Sequence, residues 1–336
     1  MDRQATIDRF LTDTGWANAA RKRVAGDASN RKYDRVTKPD GTTAILMDAP
    51  PETGEDVRPF VKIADHLRKT GLSTPSIYHQ DPNAGLLLIE DFGDALFADL
   101  MAADPSKEIP LYQAAADVLI HLGDAETPTL QVCNTDWLTT MIEPVFEWYA
   151  PDTSAQNRSS FAARFLPLAS RATSGKQVLI LRDYHAQNLL LLSERTGIAR
   201  VGLLDFQDAM IGHPAYDLVS ILQDARRDVS PEVESGIVRY MLAQIDVDPA
   251  EFRTVYAILG LQRNLRILGI FARLCLRDGK ASYVDLIPRV WAYIQRNLAH
   301  PELAPLKSEL NRLLPAPTPL FLEHMKSLCP PQPILS

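Results

Sequence analysis

Apolar and polar positions change rhythm along this chain, and the changes mark its elements. Ile7, Phe10 and Leu11 have helical spacing between Thr6 and Trp16. The stretch RVAGDASNRKYDRVTKPDGTTAILMDAP sets β-suited runs on both sides of GDASN and after a Pro39-Asp40-Gly41 turn. That pattern predicts three antiparallel strands. From Val57 the rhythm becomes helical, with Val57, Phe60, Val61, Ala64 and Leu67 on one face. Pro59 falls near the first turn, where its missing N–H costs little. SIYHQDPNAGLLLIEDF reads as two strands joined by a turn from Asp81 to Gly85.

Beyond Phe92 helical patterns dominate, from Leu111 to Leu122, from Leu138 to Tyr149 and again after Tyr216. Pro144 predicts a kink or a restart in the second of these. One interruption, QVLILRDYHAQNLLLLSERTGIARVGLLDFQDA, is a set of short apolar runs separated by polar loops, and predicts a small hairpin insert. The proline-rich PAPTPLF and CPPQPILS predict an extended tail. The expected division is therefore a strand-rich first portion, 1–92, and a helix-rich remainder, 93–336.

Composition narrows the function classes. The 336 residues, 46% apolar and 23% charged, suit a globular protein with a sizeable core. A formal charge of −7 argues against a general nucleic-acid binder, which would show a basic stripe. No apolar run reaches the length of a membrane span, and MDRQATIDRF has no apolar stretch of the kind a secretory leader needs. Three widely separated cysteines, Cys133, Cys275 and Cys329, suit a reducing cytoplasm. The histidines show no H-E-x-x-H spacing, and neither G-x-S-x-G nor a Walker A loop occurs.

The chemistry concentrates in LRDYHAQNLLLL and GLLDFQDAM. Asp183 and Asn188 form a D-x-x-x-x-N loop, and Asp205 follows at the end of the apolar run VGLL. Phosphoryl transfer from a nucleotide needs such a set: one carboxylate for the attacking hydroxyl, and an amide plus a second carboxylate for magnesium. A literal Asp-Phe-Gly occurs elsewhere, at Asp91, Phe92 and Gly93. It lies upstream of the loop, where the strand-rich portion gives way to the helical one, so Asp205 is the expected metal carboxylate. The backbone around Glu90 and Phe92 is instead placed to pair with an adenine edge.

The ordered motifs LRDYHAQN, LLDFQD and IGHPAYDLVSIL resemble those of the aminoglycoside phosphotransferase (choline kinase-like) family of small-molecule kinases. Within it, MDAPP, IEDFGD and GIFARLCLRDGK are similar to the anomeric N-acetylmuramate/N-acetylglucosamine kinases of bacterial cell-wall recycling. The resemblance runs from Gly26 to about Tyr293. It implies a two-lobed, protein-kinase-like α+β fold, with a small antiparallel-sheet lobe and a larger helical lobe. It further implies ATP and Mg2+, a catalytic base at Asp183, and magnesium ligands at Asn188 and Asp205. Asp217 becomes a brace for the catalytic loop, and Ser29 and Asn30 become phosphate contacts in a turn from Gly26 to Asn30. An amino-sugar acceptor is implied, with no nucleic acid, membrane or obligatory protein partner.

Two departures stand against this pattern. Leu181 and Arg182 precede Asp183 where the family has His-Gly, and Met47 stands near the place of a phosphate-binding lysine. Arg31, Lys32 and Arg35 are the candidate replacements. For the acceptor side, Glu143, His185 and Arg263 are candidate substrate contacts, each competing with a bland role. Those roles are an exposed acid on a packed helix, a loop-bracing histidine and a snorkelling helix arginine. An aminoglycoside, choline or another alcohol as acceptor, and a non-catalytic nucleotide-binding protein, remain the alternative functions.

Overall fold

The computed structural model describes residues 2–24 and 30–331. The chain opens with α1 (Arg3–Asp13), capped by Asp2, whose carboxylate accepts the Gln4 N–H at 3.2 Å. Strands β1 (Ala20–Arg23), β2 (Lys32–Thr37) and β3 (Thr43–Asp48) follow, then α2 (Arg58–Lys69), β4 (Ile77–Asp81) and β5 (Leu86–Ile89). Next come α3 (Phe97–Ala103), α4 (Glu108–Asp124), α5 (Thr135–Thr140) and α6 (Ala155–Ala172). The interruption supplies β6 (Val178–Ile180), β7 (Leu189–Leu191), β8 (Val201–Leu203) and β9 (Met210–Gly212). The chain continues through α7 (Ala215–Leu222), α8 (Pro231–Leu242), α9 (Pro249–Leu276), α10 (Ile287–Asn297), α11 (Ala304–Leu313) and α12 (Pro319–Ser327).

Two compact units divide the chain. The first is Met1–Ala114 with Ala186–Ala209, and the second is Ala115–His185 with Met210–Ser336. The first unit thus runs past Phe92 and takes back a later segment, because β7 and β8 bond to it.

In the first unit, β1-β2-β3-β5-β4 form one antiparallel sheet. Side chains alternate across it. Val36, Ala44, Leu46, Leu86 and Leu88 pack with Ile7, Phe10 and Leu11 of α1 into one core. The opposite alternation carries Tyr33, Arg35, Ile45 and Met47, with Met47 opposite Tyr33. The β4–β5 turn ends at Gly85, at φ 65°, where a Cβ would lie 2.0 Å from the Ala49 carbonyl oxygen. Only glycine fits there. The β7–β8 hairpin attaches through Leu203, whose N–H donates to the Ser73 carbonyl at 2.8 Å. Phe60 of α2 lies 4.8 Å from Phe206, between ring centres.

The second unit is organised around α9, which is buried along most of its 28 residues. Gly269 lets α9 approach the backbone of Pro144 and Val145, where a Cβ would come within 2.2 Å of the Pro144 carbonyl carbon. Pro144 itself marks the expected restart: α5 ends at Thr140 and a wide π-type turn, Val145–Tyr149, follows. The interruption between α6 and α7 holds two ladders instead of one hairpin, since β6 pairs with β9 as well as β7 with β8. The expected extended tail differs from Pro319 onward, where a helix forms, while 332–336 of CPPQPILS lie outside the described residues. Thr318 caps α12 by accepting the Phe321 N–H, and Pro319 occupies the first turn, where proline is tolerated.

Candidate active site

Asp183 lies in the second unit, on the turn after β6. Asp217, on the wholly buried α7, holds that turn by accepting the Leu181 N–H at 2.5 Å and the Arg182 N–H at 2.9 Å. Ser220, one helical turn further on, donates to the Arg182 carbonyl at 3.1 Å. Arg182 takes φ 69°, a conformation that costs an L-residue about 1–3 kcal/mol and persists only where surroundings impose it. Its guanidinium lies over the Trp137 ring at 5.4 Å. Tyr184, fully buried, donates to the Ala115 carbonyl at 2.9 Å and anchors the turn from the other side. Leu181 and Arg182 thus fill the positions before Asp183 with one core contact and one aromatic stack.

Burial pushes the Asp217 carboxyl up to about 6, although the two N–H bonds and Arg263 pull it down. Burial likewise lowers His185 to about 4, so its ring is neutral near pH 7. Asp183 and His185 line a cavity of about 130 Å³ together with Asp224, Arg226, Arg263 and Arg266. Sequence reasoning placed His185 and Arg263 among substrate contacts, and the structure brings both beside Asp183. Glu143 does not join them: it edges a separate, much smaller cavity with Phe146, Arg158 and Phe165. Asn264, adjacent to Arg263, turns away and donates to Gln223 at 2.8 Å. Asp224 was missed; it lies just past the C-terminal end of α7, seven positions after Asp217. Nothing in the sequence marked Trp137 as the ring beneath Arg182 and Arg266.

The metal candidates lie in the first unit. Asp205 is the second non-glycine residue with positive φ among the described residues, at 55°. The Asn188 amide donates to one Asp205 carboxylate oxygen at 3.3 Å, and Gln207 donates to the other at 2.7 Å. The Leu204 N–H to Asn188 carbonyl bond, 3.0 Å, ties the two positions together through the hairpin. A carboxylate and an amide this close offer hard oxygen donors to one magnesium ion. Among the described residues no group of three or more His, Cys, Asp or Glu could hold a metal.

Asp91, of the literal Asp-Phe-Gly, is otherwise engaged. It binds the Arg35 guanidinium at 2.7 Å and accepts the Gly93 N–H at 3.0 Å. Asp94 holds the same arginine at 2.8 Å, and the two acids raise the Arg35 pKa. Glu90 pairs with Arg195, whose guanidinium also lies 5.2 Å over the Phe92 ring. The Glu90 N–H donates to the Ser76 carbonyl at 2.8 Å. No hydrogen bond occupies the Glu90 carbonyl or the Phe92 N–H among the described residues.

Ser29 lies outside the described residues. Asn30 is exposed, and its N–H donates to Glu55 at 3.2 Å. Glu55 also holds Arg31 at 2.7 Å, both side chains being 13% exposed. Met47 is buried at the expected lysine position. Of the three candidate replacements, Arg35 is held by two acids, Arg31 is held by Glu55, and Lys32 is exposed.

A protein of Caulobacter vibrioides named N-acetylmuramate/N-acetylglucosamine kinase is 39% identical, covering 94% of this chain and 98% of that one. Proteins of the same name from Pseudomonas aeruginosa and Neisseria meningitidis are 33% and 31% identical, over 87% of this chain and 88% and 90% of theirs. Among solved structures, choline kinase LicA from Streptococcus pneumoniae aligns with a TM-score of 0.59 at 13% identity, over 90% of this chain and 99% of that one. Plasmodium vivax ethanolamine kinase gives 0.61 at 12% identity, over 90% and 87%. These distant structures establish the two-lobed kinase-like α+β fold. Residues 20–253 match the phosphotransferase enzyme family, and the chain belongs to it.

Proposed function

We propose that this protein transfers the γ-phosphoryl group of ATP to the anomeric hydroxyl of N-acetylmuramate or N-acetylglucosamine, giving a sugar 1-phosphate and ADP. The observation that carries the choice of acceptor is the 39% identity, over nearly all of both chains, with a kinase named for these two sugars. In this reading Asp183 takes the proton of the C1 hydroxyl as its oxygen attacks the γ-phosphorus, and the bond from that phosphorus to the β-phosphate bridging oxygen breaks. The Asp217 brace and the stacked Arg182 hold the Asp183 turn against rearrangement. Asn188 and Asp205 would hold magnesium on the phosphates, and bound magnesium offsets charge on the transferring group. Arg31, oriented by Glu55, supplies the cation that Met47 does not. The Glu90 carbonyl and the Phe92 N–H pair with the adenine edge, while Ser29 and Asn30 contact the phosphates.

The reaction suits the bacterial cytoplasm, where ATP is available and cysteines stay reduced, and it serves recycling of cell-wall sugars. It requires no nucleic acid, membrane or protein partner. Among the described residues no helix is long and apolar enough to cross a membrane.

The test is ADP release from Mg-ATP with N-acetylmuramate, N-acetylglucosamine, kanamycin and choline as separate acceptors, with phosphorus NMR of the product. Turnover on the sugars with phosphate on C1 is the expected result. Turnover confined to kanamycin or choline overturns the acceptor. Asp183→Asn is expected to lower kcat by about 10²–10⁴-fold while Mg-ATP still binds. Loss of binding with normal residual turnover contradicts the role given to Asp183.

A further inference from the structure

The cavity beside Asp183 has an unusual charge balance for a kinase acceptor site. Three guanidinium groups, from Arg226, Arg263 and Arg266, face two carboxylates, Asp183 and Asp224. The remaining ionisable side chain on its wall, His185, is neutral near pH 7 because burial lowers it to about 4. The side chains of this wall therefore sum to a net positive charge, which disfavours polycationic acceptors and favours an anion.

None of the three arginines bonds or ion-pairs with a carboxylate through its side chain among the described residues. Arg263 and Arg266 stand one turn apart on α9 and are placed by ring faces instead. Arg263 lies 5.7 Å over Tyr216, and Arg266 lies 5.8 Å over Trp137. Stacking fixes the plane of a guanidinium and leaves its edge donors for a planar anion. Arg263 is 8% exposed, and its Nε is buried without a partner. Asp224 is 3% exposed, and one of its carboxylate oxygens is also buried without a partner. Buried polar atoms of this kind are normally satisfied, so both point to a polar ligand that completes them. Burial lowers the Arg266 pKa, and Arg182 and Arg263 press it the same way; an incoming anion would relieve that repulsion.

Ile267, Ile270 and Phe271 give the wall an apolar stretch, beside the polar Ser220 and Gln223. Its place is against the C–H face of a sugar ring or an acetyl methyl. A cavity of about 130 Å³ is comparable to one that admits a single six-membered ring.

We infer that Arg263 and Arg266, with Arg226 at the mouth, form a carboxylate clamp that selects the acid-bearing acceptor, N-acetylmuramate, over N-acetylglucosamine. The two sugars differ by the lactyl ether of N-acetylmuramate, which carries one carboxylate. Asp224 accepts a ring hydroxyl with its free oxygen. This inference rests on the kinase function proposed above and assigns its acceptor preference.

The test uses the full chain with Mg-ATP and three acceptors: N-acetylmuramate, its methyl ester, and N-acetylglucosamine. The ester keeps the lactyl group and removes its charge, so it needs no mutation of the protein. The expected result is a kcat/KM for N-acetylmuramate at least tenfold above that for the ester. Arg266→Met and Arg226→Met, on separate elements, are each expected to lower the ratio of N-acetylmuramate to N-acetylglucosamine kcat/KM by about tenfold or more. An ester as good as the acid, or ratios unmoved in both variants, overturns the clamp and leaves the kinase function standing. Silence of the unmodified protein on all three sugars overturns the kinase function, and the clamp with it.

Discussion

Asp217 is where side-chain chemistry most directly controls the candidate base. Its two oxygens each accept one N–H, from Leu181 and Arg182, and the ionised form serves both. Burial raises its carboxyl to about 6, so protonation falls within reach of mild acid. Protonation occupies one oxygen and releases one N–H, which loosens the turn that carries Asp183. We expect kcat/KM to decline below neutrality with an apparent pKa near 6. Asp217→Asn is expected to lower turnover about 10–100-fold at pH 7.5 and to lose that inflection. A pH–rate profile of both proteins checks this, and an unchanged inflection in the variant removes Asp217 as its source. Stability runs the other way. A folded-state value above the unfolded carboxyl means that this residue's contribution is full at low pH and is lost as pH rises through about 6. Asp91 teaches the complementary lesson. Its motif is a better match to a kinase metal ligand than Asp205, yet its carboxylate holds Arg35.

Helix α9 shows how one element serves both packing and the wall of a cavity. Gly269 brings it against the Pro144 and Val145 backbone, and Gly260 makes room for the Asn297 side chain. The face with Arg263, Arg266, Ile267, Ile270 and Phe271 lines the cavity. A methyl at Gly269 meets backbone atoms that cannot rotate away, so Gly269→Ala is expected to destabilise the protein by about 1–3 kcal/mol. Thermal melting checks it, and a melting point unchanged within error shows that α9 can shift without cost. The same strain would move Arg263 and Arg266 with the helix, so acceptor KM is expected to rise in that variant. Among the strands, alternation along β2 and β3 sends Val36 and Leu46 to the core and Met47 to the opposite face. That register explains why Met47 stands at the expected lysine position.

Across the whole molecule, the chain enters the second compact unit at Ala115, returns to the first at Ala186 and leaves it again after Ala209. Asp183 and Asn188, five positions apart, are therefore assigned to different units. Nucleotide binding through Asn188 and Asp205 should stabilise the fold by mass action, by about 2.7 kcal/mol at a hundredfold excess over Kd. We expect a rise in melting temperature with Mg-ATP that is lost on adding EDTA or in Asp205→Ala; an equal rise without magnesium would detach the ion from these residues. Much of this was legible in the chain. The strand-rich start, the order of Asp183, Asn188 and Asp205, and the restart at Pro144 follow from periodicity, spacing and proline chemistry, which act between neighbours. Other features depend on distant segments meeting. Only packing put Trp137 and Tyr216 beneath the arginines, placed Asp224 and Arg266 beside Asp183, and set Glu143 in another cavity. Only packing engaged Asp91 with Arg35, a partner 56 residues away. Local patterns arise from backbone preferences and near-neighbour burial, so the sequence displays them; the company a side chain keeps depends on which distant surfaces close together, and no spacing rule encodes that.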